Sequence, residues 1–190
     1  MIKTKLFGVE AGVDFTFFAI LAMFLTLDTT GFAIISLLVC VVHEAGHLLA
    51  MLIVKQKPAS ITFKGGGIVI GSRHEQCLLV LIAGSFVNIV LFFALYFALP
   101  KNDIYPVMFA VLNLVIGVFN LFPVGCLDGK KLLALFVPEK PLKVIEAVVL
   151  CLVFVVIAAA LLVEEFRGGV NFTLAAAMIY VVCIDFFSNV

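Results

Sequence analysis

Residues 31–54 read GFAIISLLVCVVHEAGHLLAMLIV. A run of about 20 apolar residues, rising ~1.5 Å each as a helix, crosses the ~30 Å hydrocarbon core of a bilayer. Lipid offers no hydrogen bonds to an open backbone, so helix is the expected state. Within this run stands His43-Glu44-Ala45-Gly46-His47. The HExxH spacing puts two imidazoles one helical turn apart on one face, where both can reach the same metal ion. Glu44 sits beside them and can take a proton from a water that such a metal activates. The bland alternative is a pair of packing histidines with a stray carboxylate. Against it, an ionisable group at membrane depth costs about 3 kcal/mol or more unless partnered. Three such groups within five residues point to a metal site.

The rest of the chain has the same character. Of its 190 residues, 65% are hydrophobic and 13% charged. Soluble domains of this size are nearer half apolar and have no interior large enough for such an excess. The formal net charge is zero and no basic tract occurs, which argues against nucleic acid as a partner. The five cysteines are scattered, with no CxxC, and read as small apolar packing residues rather than a disulfide framework. The first ten residues are short and mixed in charge, and no cleavage site follows the first apolar run, so a cleaved signal peptide is not expected.

Six membrane spans are predicted, at about residues 13–27, 31–54, 76–99, 104–122, 142–163 and 170–187. The expected fold is an all-α polytopic membrane protein forming a single integral-membrane domain over residues 1–190. Its catalytic core covers about 31–137, with accessory helices at about 13–27 and 142–187. Lys3, Lys5, Lys55, Lys57, Lys64, Arg73, Lys130, Lys131, Lys140 and Lys143 collect on one side, against Lys101 and Arg167 on the other. The positive-inside rule makes the first side cytoplasmic, together with both termini. Two stretches break the helical pattern. Residues 58–73, PASITFKGGGIVIGSR, place short β-type runs around a glycine turn and predict a hairpin at membrane depth. Residues 120–131, NLFPVGCLDGKK, interrupt an apolar span with Pro123 and Gly125, as helices do where they line a cavity.

A catalytic zinc site takes three protein ligands and keeps one position open. Asp128 is the best third ligand, because the charge argument places its loop and the C-terminal half of the second span at similar depth. The competing reading of Asp128-Gly129 is an ordinary turn or helix cap. His74, Cys40 and Cys126 rank lower as ligands. Asp14, Asp28, Glu146 and Asp185 lie near span ends, where solvation explains them.

The paired motifs His43-Glu44-Ala45-Gly46-His47 and Asn120-Leu121-Phe122-Pro123-Val124-Gly125-Cys126-Leu127-Asp128-Gly129 resemble the signature of the site-2 protease family of intramembrane metalloproteases. Ala83-Gly84-Ser85-Phe86-Val87-Asn88 is similar to the family's A-G-P-x-x-N stretch, with Ser85 where proline is common. The layout most resembles the compact bacterial branch that includes the sporulation sigma-factor-processing protease. The resemblance implies that His43, His47 and Asp128 bind zinc, that Glu44 activates water, and that Asn120 assists substrate or transition-state binding. It implies regulated intramembrane proteolysis of a membrane-spanning or membrane-tethered protein in the lipid bilayer, and the small size of the chain fits a bacterial inner membrane. Lys130 departs from the pattern, standing where a second glycine is common. Gly125-Cys126 replaces a frequent proline-rich pair. No PDZ insertion lies between the third and fourth spans, and no CBS domain follows the sixth.

A transmembrane helix must unwind to be cut, and the edge of the predicted hairpin could hold the extended peptide through main-chain bonds. The hairpin could equally plug the bundle. The rival functional class is a metal transporter or a catalytically inactive relative. No matching half-repeat supports a transporter, and an intact Glu44 argues against an inactive relative. The orientation yields a direct expectation. Single cysteines replacing Lys140 and Lys101 should label from the cytoplasmic and the opposite side respectively, and the reverse pattern would overturn the assignment.

Overall fold

The computed structural model describes residues 2–6, 9–28, 30–64, 67–72, 77–100, 102–125 and 127–166. The chain divides into two compact units, Met1–Asn120 and Leu121–Val190. Among the described residues the first unit runs β1 (Ile2–Leu6), β2 (Val9–Val13), α1 (Phe15–Leu27), α2 (Phe32–Ile53), β3 (Pro58–Lys64), β4 (Gly67–Ser72), α3 (Leu78–Ala98) and α4 (Ile104–Phe119). The second holds α5 (Asp128–Ala134) and α6 (Glu139–Phe166).

The predicted hairpin forms as β3 and β4, with Ile61 opposite Ile70 and Phe63 opposite Ile68. It is not alone, and the all-α expectation needs correction. The strands form a four-stranded sheet in the order β1-β2-β3-β4. β1 and β2 make a second antiparallel hairpin at the N-terminus. β2 runs parallel to β3, with Ala11 opposite Ile61 and Val13 opposite Phe63. Parallel neighbours need a long crossover, and here α1 and α2 supply it. The ladder continues into α1, because the Asp14 amide donates to the Phe63 carbonyl at 2.8 Å. Asp14 then caps α1, accepting from the Thr16 amide at 3.3 Å, and Phe17 sets its ring edge against Phe63.

The first predicted span is therefore shorter than expected. Its N-terminal end belongs to β2, and α1 has 13 residues. α2 and α3 match their predicted spans within about two residues, the usual uncertainty at helix ends. Both are long and apolar enough to cross a membrane. The core helix of a soluble protein passes the same test but is mostly buried. Here only 22% and 28% of the most apolar windows of α2 and α3 lie inside the protein. Leu38, Val41, Leu49 and Leu52 on α2, and Phe86, Val90, Phe93 and Phe97 on α3, are exposed. α4 is apolar but, at 16 residues, shorter than those two. α6 begins at Glu139 and ends at Phe166, outlasting the predicted fifth span at both ends. The sixth predicted span, at 170–187, lies outside the described residues.

Asp28 joins α1 to α2. Its carboxylate accepts from the Thr30 hydroxyl at 2.7 Å, the Thr30 amide at 2.9 Å and the Ala33 amide at 2.8 Å. These bonds, the Thr30 hydroxyl foremost, hold its carboxyl below the usual range. Asp28 is thus a helix-start ligand rather than a merely solvated charge.

The sheet order predicts a gradient in amide exchange. β3, paired on both sides, should exchange more slowly than the edge strand β1. Hydrogen exchange in detergent that finds β1 as protected as β3 would contradict this topology.

Candidate metal centre

The geometry begins where α2 crosses α3. Gly46 faces α3, and a Cβ there would lie 2.9 Å from the Ala83 carbonyl oxygen and 3.0 Å from the Gly84 Cα. Gly84 in turn leaves room for the two imidazoles. A Cβ on it would meet His47 Nε2 at 2.5 Å and His43 Nε2 at 2.8 Å. The A-G-S stretch of α3 is thus the floor under the HExxH pair.

His43 and His47 are 3% and 7% exposed. Their rings meet edge to face, and their Nε2 atoms stand 3.1 Å apart. His47 Nδ1 lies 2.7 Å from the Val80 carbonyl oxygen. A carbonyl only accepts, so this contact puts the His47 proton on Nδ1 and leaves Nε2 as the basic atom. Such a backbone partner is the usual support of a metal-ligating histidine.

Asp128 is the first residue of α5 and is 7% exposed. It is helical rather than part of an irregular turn. Its Oδ1 accepts from Lys131 Nζ at 2.9 Å, which sets the rotation of the carboxylate. The two imidazoles of the first unit and the Asp128 carboxylate of the second are the candidate ligands. Tetrahedral zinc with ligands at ~2.0–2.1 Å needs donors about 3.3 Å apart. The 3.1 Å between the Nε2 atoms and the mixed nitrogen–oxygen donor set fit that ion.

Glu44 lies on α2 between the histidines and is half-buried. Asn120 caps the C-terminus of α4, half-buried, and its side-chain amide donates to the Ile116 carbonyl at 3.0 Å. A primary amide has two N–H donors and an acceptor, so this bond uses one of three. Among the lower-ranked ligands, Cys40 is exposed. His74 and Cys126 lie outside the described residues, as does Asp185.

Sequence reasoning missed two features. Glu146 is not solvated: it is 8% exposed and accepts from the Gly125 amide at 2.6 Å and from Lys130 Nζ at 2.7 Å. The α3–α4 seam is also polar. Ser85, Asn88 and Asn113 are at most 1% exposed, with Gly117 packed on Ser85 and Asn88. Asparagines inside apolar spans were a visible signal.

No protein-family model matches the chain, and no curated protein matches it in sequence. Comparison of folds does find a match, the site-2 protease from Methanocaldococcus jannaschii, with a TM-score of 0.65. The chain has the site-2 protease fold. The alignment covers 99% of this chain and 93% of the archaeal one, at 20% identity. The likeness therefore extends over the whole chain, while most side chains differ.

The floor at Gly84 can be tested. Gly84→Ala should force the imidazoles aside at a cost of about 1–3 kcal/mol, as overpacking typically does, and should lower bound zinc. Ala94→Val on the exposed face of α3 should leave zinc unchanged. Equal zinc content in the two variants would contradict the packing described.

Proposed function

We propose that this chain is an intramembrane zinc metalloprotease that cuts membrane-spanning or membrane-tethered proteins within or beside the bilayer. The observation that carries the reading is the pair of buried imidazoles of His43 and His47, their Nε2 atoms 3.1 Å apart, on a helix whose outer face is apolar enough for lipid. The fold shared with the archaeal site-2 protease supports it.

In this reading His43, His47 and Asp128 hold the ion. Bound there, zinc supplies a Lewis acid that polarises the scissile carbonyl and makes water a usable nucleophile near neutral pH. Glu44 takes the proton from that water as it attacks, then returns one to the leaving amine. Asn120 turns an amide N–H toward the oxyanion that develops. The His47–Val80 bond keeps the imidazole oriented throughout. β4 pairs with β3 on one side, and its other edge offers main-chain partners to an unwound substrate. The protease sits in the membrane as a multi-pass protein with both termini cytoplasmic, in a bacterial inner membrane.

A transporter or an inactive relative would also bind metal but would have no use for Glu44 as a base. The test compares purified wild type with Glu44→Gln, scoring zinc content and cleavage of a co-expressed single-pass membrane reporter. Glutamine keeps the size and a polar contact but cannot take the proton, so cleavage should fall by at least ~10²–10⁴ with zinc retained. His43→Ala should lose zinc and activity together. Cleavage by Glu44→Gln near the wild-type rate would refute the mechanism.

A further inference from the structure

Glu146 is a carboxylate on α6, nearly buried, and the chemistry above gives it no task. A single oxygen, Oε1, accepts both the Gly125 amide at 2.6 Å and Lys130 Nζ at 2.7 Å. Gly125 precedes Asp128 by three residues and Lys130 follows it by two. The two bonds therefore pin the chain on either side of Asp128 to one point on a long helix. The loop is closed at a second point. Gly129 lies so close to the Leu121 carbonyl that any side chain on it would collide. The neighbouring lysines divide the work: Lys130 reaches Glu146, while Lys131 reaches Asp128 itself at 2.9 Å.

We propose that Glu146, acting through Lys130 and Gly125, is a positioning residue that holds Asp128 in place to complete the metal site. This rests on the zinc reading above. The pair is well shielded, with side chains 26% and 11% exposed for Lys130 and Glu146. Removing one partner of such a pair leaves an uncompensated charge and is strongly destabilising locally. The pairing also accounts for the departure at position 130. A glycine there could not reach α6, so a lysine at 130 and a glutamate at 146 form one device.

The experiment measures zinc affinity of the full chain in detergent by competition with a chromophoric chelator, with thermal unfolding followed on the same samples. Glu146→Ala should weaken zinc binding by about 10–100-fold, the usual effect of losing a group that orients a ligand. Glu146→Gln keeps an acceptor for the Gly125 amide and should lose less. Lys130→Arg should stay near wild type. If Glu146→Ala does not fold, Lys130→Met reads the same anchor from its other end and should also weaken zinc binding. A merely structural role would lower the unfolding temperature and leave affinity alone. Zinc affinity within about twofold of wild type in folded Glu146→Ala or Lys130→Met would overturn the proposal, given the size expected of such groups. Asp128→Ala is the control for the underlying reading. If it binds zinc as wild type does, the ligand assignment fails, and the positioning role fails with it.

Discussion

The close crossing of α2 and α3 is the constraint on which the rest depends. Lipid tails are as apolar as leucine, so helices in a bilayer gain little from burying apolar surface against one another. They associate where small residues let backbones approach and where polar groups find partners. Gly46 and Gly84 provide the approach. His47 then reaches the Val80 carbonyl across it, which fixes the tautomer and aims Nε2. The same small residues that make the contact thus make room for the imidazoles. A side chain at 84 would disturb the packing and the imidazoles together.

A pattern recurs among the polar groups of the interior. Several of them are held by a second group. His47 has a backbone carbonyl, Asp128 has Lys131, and Lys130 has Glu146. Asn113 similarly donates its amide to the Phe109 carbonyl within α4. An apolar chain makes such bonds strong, because nearby solvent does not compete for them.

Parts of the candidate site were legible in the sequence. The HExxH face follows from helical periodicity alone, and α2 and α3 are long apolar runs with clear ends. The lysine distribution nominates Asp128 by assigning its loop and the C-terminal half of the second span to one side of the membrane. Three things were not legible, for physical reasons. The pairing of β2 with β3 joins residues some fifty positions apart, and no local pattern encodes such a register. The alternation of Ile2, Thr4 and Leu6 with Lys3 and Lys5 was a strand signal, yet five-residue strands are too short to stand out beside spans. Glu146 sat where a carboxylate is usually solvated, and only the fold reveals Gly125 and Lys130 beside it.

The account stands on one claim, that His43, His47 and Asp128 bind a single zinc ion. X-ray absorption at the zinc edge of the purified, zinc-loaded chain tests it most directly. The predicted spectrum has a nitrogen–oxygen shell at about 2.0–2.1 Å with two imidazoles, and Asp128→Ala should lose one oxygen from it. A sulfur shell at about 2.3 Å, the distance of a cysteine thiolate, or a spectrum unchanged by Asp128→Ala would contradict the claim.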